Sequence, residues 1–317
     1  MHEPTIVLPW TKRGILLKQR FTQDIHGICN ADAHASPLAM TLEIFGYAFM
    51  QKGLIAGAAI AIICSLMGTF LVLRRYSLFG DALSHMAFGG ISVGLFTGIY
   101  PLWTAYVVSI LGALGMTKLR KSTKISGDAA IAVLLVSGFG VGVLLISATG
   151  GFSVDLFSFL FGSILLISNE DTILILAISA GVVVSLAILR KPLLHFTFDE
   201  EQAKVGGLNV DRLNYIFVII AGVTVITSMR LVGILLISAL IVLPNITSML
   251  FGKGFKHTVL ISMSIAVFSV MFGIVLSYYL DLAPSGTIVM LSVAILVGTL
   301  AAKYLGVIGK TPILKTI

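Results

Sequence analysis

The chain has 317 residues, of which 57% are hydrophobic and 11% charged, and its formal net charge is +7. With a mean hydropathy of +1.05 it lies far outside soluble globular usage, and its apolar segments follow one another too closely to leave room for a separate enzymatic domain. Its two cysteines, Cys29 and Cys64, supply neither a disulfide framework nor a CxxC metal or redox site.

Residues 1–39 are polar and hold no apolar stretch long enough for a signal-peptide core. They read as an N-terminal extension, upstream or disordered, with Met40 a candidate true start and residues 40–317 the membrane domain. His26, Cys29, Asp32 and His34 within it form either a metal-binding tail or, since no regular ligand spacing joins them, scattered polar residues of a flexible segment.

Beyond the extension, nearly uncharged runs recur at 54–73, 82–97, 102–117, 129–149, 172–189, 213–229, 231–250, 258–280 and 282–302. At about 1.5 Å per residue each is long enough, with its flanks, to cross a hydrocarbon core of about 30 Å. The expected fold is an all-α polytopic membrane protein, a single bundle of about eight or nine transmembrane helices. The pair at 213–250 is interrupted only near Met229 and Arg230, and FSVDLFSFLFGSILLIS at 152–168, broken by Asp155, reads as a half-helix or interfacial segment.

With nine alternating spans, Arg74, Arg75, the KLRKSTK cluster at 118–124, Arg190, Lys191, Lys204, Arg212, Lys253, Lys256, Lys303, Lys310 and Lys315 share one side. After residue 40 the other side has Lys52 and Arg230 among Glu43, Asp155, Glu170, Asp171 and Asp281. Short loops rich in Lys and Arg stay in the cytoplasm, so the carboxyl end is expected there, and the net charge is a topology signal rather than a nucleic-acid footprint.

Two ionisable residues nevertheless enter a span. In LRRYSLFGDALSHMAFGG, residues 73–90, Asp81 and His85 are four apart, which puts them on one helix face about 6 Å apart along the axis. Such residues cost on the order of 3 kcal/mol each inside a membrane and mark pathways. A carboxylate plus an imidazole is half a site for zinc, manganese or ferrous iron, with the other half supplied from elsewhere, for instance by a second copy. The simpler alternative is that Asp81 caps the helix and satisfies His85.

Other motifs carry less. GKT at 309–311 lacks the P-loop glycine, since Tyr304 stands in its place, and GFGVG at 138–142 lies inside an apolar run, where small residues let helices approach closely. Asp155 and Asp281, near the outer ends of spans, either attract a cation or contact a delivery protein, or are simply solvated at the interface; Pro244 is expected to kink or end a helix. The loop Asp199–Arg212 has four acidic and two basic residues with small Ala203, Gly206 and Gly207, a composition that suits an exposed short helix gripped by a partner or an ordinary solvated loop.

The segment LVLRRYSLFGDALSHMAFGGISVG resembles the signature of the permease subunits of ATP-binding-cassette importers for zinc and manganese, the metal ABC transporter type 3 permeases. The run FTFDEEQAKVGGLNVDRLNYIFVIIAGVTVITSMRLVGILLISALIVLP, residues 196–244, is similar to that family's second hallmark, and DLFSFLFGSIL and DLAPSGTIV resemble further segments, so that the likeness runs from about residue 49 to 306. Two departures concern local helix packing: Asn245 and Ile246 replace small residues after Pro244, and Gly89 stands where some members have proline.

The resemblance implies that Asp81 and His85 line the translocation path and contact the metal. It further implies that Asp199, Glu200, Ala203, Gly206 and Gly207 belong to a cytoplasmic loop that docks on a separate ATPase subunit. The implied partners are cytoplasmic ABC ATPases, an extracytoplasmic metal-binding protein, membrane lipid, and a second permease copy or paralogue. The implied location is a prokaryotic cell membrane. No catalytic residue or intrinsic cofactor is expected; Zn²⁺, Mn²⁺ or Fe²⁺ is the cargo. A proton-coupled secondary metal transporter using the same carboxylate and histidine is the alternative. An intramembrane hydrolase has less support, since the pair has no HExxH companion.

Overall fold

In lipid every peptide group must find its hydrogen bond within the protein, and a helix does so locally. The computed structural model follows this rule. It describes residues 46–123, 126–148, 159–162 and 168–306, and regular structure among them is helical, with no strand. In chain order the helices are α1 (Ala48–Leu73), α2 (Phe79–Thr97), α3 (Pro101–Thr123), α4 (Gly127–Ala148), α5 (Asn169–Ile188), α6 (Arg190–Phe198), α7 (Glu200–Val205), α8 (Val210–Val232), α9 (Ile237–Met249), α10 (Phe255–Leu280) and α11 (Pro284–Tyr304).

Each of the nine expected runs contains a helix. Seven helices, α1, α3, α4, α5, α8, α10 and α11, are long and apolar enough to cross a membrane; α9 is a shorter apolar helix, and α2 is 19 residues long but more polar. Residues from Gln51 onward form one unit. Its centre is α1 and α8, each with 67% of its apolar stretch buried, against 28–33% for the other five spans, which keep wide faces for lipid or a partner.

The basic residues gather at one end of the bundle. Arg74 and Arg120 both approach the Tyr76 ring, Arg190 lies over Phe255, and Lys303 Nζ donates to the Leu250 carbonyl at 3.0 Å. At the opposite end Arg230 pairs with Asp171 and donates to Tyr100 Oη at 2.6 Å. This separation is the one the alternating spans require.

A polar cluster ties α1, α9 and α10 together inside the bundle. Asn245 Oδ1 accepts from Thr69 at 2.6 Å and from Ser262 at 2.8 Å, Ser65 donates to Ser262 at 2.9 Å, and the Asn245 amide returns a bond to the Ile241 carbonyl at 2.7 Å. All four side chains are buried, so the departure from small residues after Pro244 is matched by partners that satisfy it. Asn245→Ala strips Thr69 and Ser262 of a shared acceptor, and is expected to destabilise the chain by about 1–2 kcal/mol. Thermal unfolding in detergent measures this, and an unchanged midpoint would show the cluster to be energetically neutral.

Three boundaries differ from the sequence reading. The break in 213–250 falls at Gly233, not at Met229 and Arg230: α8 runs on to Val232, and Gly233 turns the chain with φ +84 into a 3₁₀ turn, Ile234–Leu236. Only glycine fits there, because a Cβ would stand 2.5 Å from the Leu160 carbonyl oxygen. Pro244 does not end its helix, which continues to Met249. Residues 190–198, which the sequence reading left unassigned ahead of the loop, form α6, whose Leu193 and Phe196 are buried at a spacing of three, with Pro192 tolerated in its first turn. The extension 1–39, with His26, Cys29, Asp32 and His34, lies outside the described residues, as do Asp155 and most of 152–168.

Candidate metal half-site and coupling helix

Asp81 lies in the first turn of α2 but is not its cap: the N-cap residue is Leu78, with no side-chain capping bond. The carboxylate still gains from the positive helix end. His85 follows one turn on, with Nε2 3.9 Å from Asp81 Oδ1. That distance exceeds a hydrogen bond, so the carboxylate does not satisfy the imidazole. His85 Nδ1 is buried without a hydrogen-bond partner. The two side chains keep 29% and 18% of their surface exposed respectively, enough to be reached by a ligand from one side. Ser84, between them, points away into the bundle and donates to the Asp81 carbonyl at 2.7 Å.

Small residues hold this face in place. Twelve of the nineteen residues of α2 are buried. A Cβ on Gly90 would lie 2.6 Å from Ala105 Cα of α3, and one on Gly89 2.8 Å from the Gly138 carbonyl oxygen of α4. GFGVG thus brings helices together, as its small residues suggest. Gly138 faces His85 directly: a Cβ there would stand 2.7 Å from the His85 carbonyl oxygen and the Met86 nitrogen. Phe139, its neighbour, sets its ring edge-on to the imidazole at 5.5 Å between centroids. The sequence marked GFGVG for close packing only, and the position of α4 beside α2 shows that Gly138 and Phe139 lie against His85.

Gly138→Ala is expected to push α2 outward at His85, a strain of about 1–3 kcal/mol in a packed interior, and to cut about tenfold or more the metal uptake that the sequence resemblance implies, with Asp81 and His85 intact. Uptake and expression measured together test this; full activity would mean that α2 can shift without consequence.

No group of three or more His, Cys, Asp or Glu occurs among the described residues, so the pair has no further such ligand close by. One chain presents a single carboxylate and a single imidazole on this face.

The second sequence candidate is a well-formed helix. Asp199 caps α7, its Oδ1 accepting from the Gln202 nitrogen at 2.9 Å. At the other end the Leu208 nitrogen bonds the Ala203 carbonyl and the Gly207 nitrogen that of Lys204, each at 3.1 Å, which is a Schellman closure with Gly207 at φ +81. Ala203 is the buried residue of α7 and seats it. Glu200 and Lys204 pair at 3.1 Å on its surface. Val205 is 90% exposed and Phe198 67%, and a groove of about 610 Å³ runs beside them between α6 and α7. Asp199, Glu200, Ala203, Gly206 and Gly207 therefore come together as a capped, protruding helix with apolar residues facing outward.

One residue joins the two regions. Arg74, in the turn before α2, places its guanidinium 3.9 Å from the Phe196 ring centroid of α6, 5.2 Å from Phe217 of α8 and 5.0 Å from Tyr76, and donates to Asn214 Oδ1 at 3.2 Å. Burial pulls its pKa down to about 10, with Glu200 opposing and Arg120 reinforcing the shift, so it stays charged at neutral pH. Arg75, next in the turn, is left-handed at φ +59. Arg74 thus packs α6 and α8 against the turn that precedes α2. Sequence reasoning used Arg74 only as a topology marker.

Against known proteins, the profile of the ABC 3 transport family matches residues 46–303. The chain is 35% identical over 260 residues to "Probable metal transport system membrane protein" of Treponema pallidum, covering 82% of this chain and 97% of that one. It is 32% identical over 276 residues to "Chelated iron transport system membrane protein YfeC" of Yersinia pestis, covering 84% and 94%. Among solved structures, PsaBC from Streptococcus pneumoniae in complex with Fab is similar, with a TM-score of 0.74, 27% identity and coverage of 83% of this chain and 95% of that one. A matching profile over most of the described chain, with relatives of nearly equal span, means that this membrane protein belongs to the ABC 3 transport family.

Proposed function

We propose that the protein is the permease of an ATP-binding-cassette importer for a divalent transition metal ion, Zn²⁺, Mn²⁺ or Fe²⁺. The observation that carries this reading is the half-site: a carboxylate and an imidazole on one partly open helix face, with the buried His85 Nδ1 lacking a partner. The mixed oxygen and nitrogen set suits these ions, and two such faces across a shared axis supply four donors. The path is therefore formed by two permease chains, identical or paralogous.

In this reading the basic end of the bundle, with the carboxyl terminus, faces the cytoplasm of a prokaryotic cell. There α7 docks on a separate ATPase, its exposed Val205 and the exposed Phe198 of α6 entering the partner's cleft. A binding protein delivers the ion at the opposite end. Asp81 offsets the charge of the dehydrating ion and His85 supplies the borderline-soft nitrogen.

The test is metal uptake into vesicles containing the chain with its candidate ATPase and binding protein, with and without ATP. Uptake that requires ATP supports the importer. Uptake that proceeds equally without it, driven by a proton gradient, would replace it with the secondary-transporter reading.

A further inference from the structure

At the basic end of the bundle, α1, α5 and α10 leave between them an apolar trough of about 470 Å³ that the transport reading does not use. Its walls include Leu66 and Phe70 of α1, Leu186 and Ala187 of α5, and Val259 and Met263 of α10. Arg190 and Lys256 stand at one end of it, and the lining contains no acidic residue. Both cations are exposed, and neither makes an ion pair or hydrogen bond among the described residues. Arg190 instead lies 6.0 Å over the ring of Phe255, which packs at 5.7 Å on Phe70.

The positions of these residues fix the depth of the feature. Arg190 follows the last residue of α5 by two, Lys256 is the second residue of α10, and Phe70 lies one turn before the end of α1. The charges are therefore at the helix ends, where a bilayer presents its headgroups, and the trough runs inward from them. From Lys256 to Met263 it extends about 10 Å along α10 at the helical rise. Two uncompensated cations above an apolar channel complement one kind of molecule, an amphiphile with a negative head. Basic pockets between helices at this depth attract acidic lipid headgroups.

We propose that this trough is a binding site for an anionic phospholipid, whose phosphate lies between Arg190 and Lys256 and one of whose acyl chains fills the groove. The lipid bridges α5 and α10, which keep wide faces unpacked, to the buried α1, and holds the C-terminal end of α5 against α1 next to α6.

The test uses the full chain purified in mild detergent and incubated with equal amounts of phosphatidylglycerol and phosphatidylcholine of identical acyl composition. Native mass spectrometry then reads the lipid retained. The wild type is expected to favour phosphatidylglycerol about tenfold. The double variant Arg190→Gln/Lys256→Gln loses that preference. Ala187→Trp, which fills the trough without altering its charge, lowers retention of both lipids. Equal retention of the two lipids by the wild type would overturn the proposal. So would an Ala187→Trp variant with wild-type retention, since the lipid would then be held by the general basic surface. A lipid-free dimer that Ala187→Trp dissociates would put a second copy of the chain in the trough instead.

Discussion

Alanine at Asp81 or at His85 is expected to reduce metal uptake by about 100-fold or more, with the protein still inserted in the membrane at wild-type levels. The expectation follows from the sparseness of the site. No cluster of three ligating side chains occurs among the described residues, so nothing close by replaces a lost oxygen or nitrogen. Even groups that only orient a ligand are worth about 10–100-fold in metal affinity, and direct ligands more. Insertion should survive, because α2 is held by its glycine contacts with α3 and α4 and not by the 3.9 Å approach of Asp81 to His85. Removing a charge from a span even lowers its insertion cost. Asp81→Glu keeps the carboxylate but moves it by a methylene, and should retain part of the activity. Uptake assays with membrane-fraction immunoblots decide the matter; normal uptake by both alanine variants would place the path elsewhere.

Arg74→Met is expected to separate ATP hydrolysis from transport: uptake falls about tenfold while the assembled complex keeps most of its ATPase rate. Methionine fills much of the space but cannot interact as a cation with the rings of Phe196, Phe217 and Tyr76, and it donates nothing to Asn214. A cation over an aromatic ring is worth about 0.5–2 kcal/mol, more where water is excluded, so α6 and α8 lose their shared attachment to the turn before α2. Lysine keeps the charge without the planar face, and Arg74→Lys should fall between the two. Parallel measurement of hydrolysis and uptake in reconstituted vesicles gives the ratio. Equal losses in both, with poor assembly, would mean that Arg74 only stabilises the fold. The α7 surface offers a control, since Val205→Asp should weaken assembly with the ATPase and lower both rates together.

The regions legible in the sequence share a cause. Long apolar runs become helices because lipid allows the backbone little else, and the positions of α1, α4, α5, α8, α10 and α11 follow from hydropathy alone. Four residues on a helix make one turn, so Asp81 and His85 had to share a face. The short helix α7 was one of two readings that the acidic loop and its small residues allowed, and the Asp199 cap and the Gly207 closure decide for it. Where local signals were weak, the reading slipped. The stop at Gly233 was placed too early because Arg230 reads as the end of a span, whereas Arg230 is paired with Asp171 and bonded to Tyr100 and so is accommodated within α8. The amphipathic α6 was missed because only Leu193 and Phe196 mark its buried face.

Composition, periodicity and charge by themselves determined a multi-pass helical bundle, its alternation, and an acid and an imidazole on a common helix face. Each of these depends on interactions within a few residues or with the solvent, which the chain carries in its own order. The tertiary structure alone decided that His85 is not satisfied by Asp81, that Gly138 and Phe139 of another helix shape its surroundings, that Asn245 has buried partners, and that Arg74 ties α6 to the turn before α2. Apart from the gap between Asp81 and His85 within α2, those facts depend on contacts between residues far apart in sequence, such as Gly138 with His85, Thr69 with Asn245 and Arg74 with Phe196. Their meeting is set by how helices pack, not by the spacing of residues along any one of them.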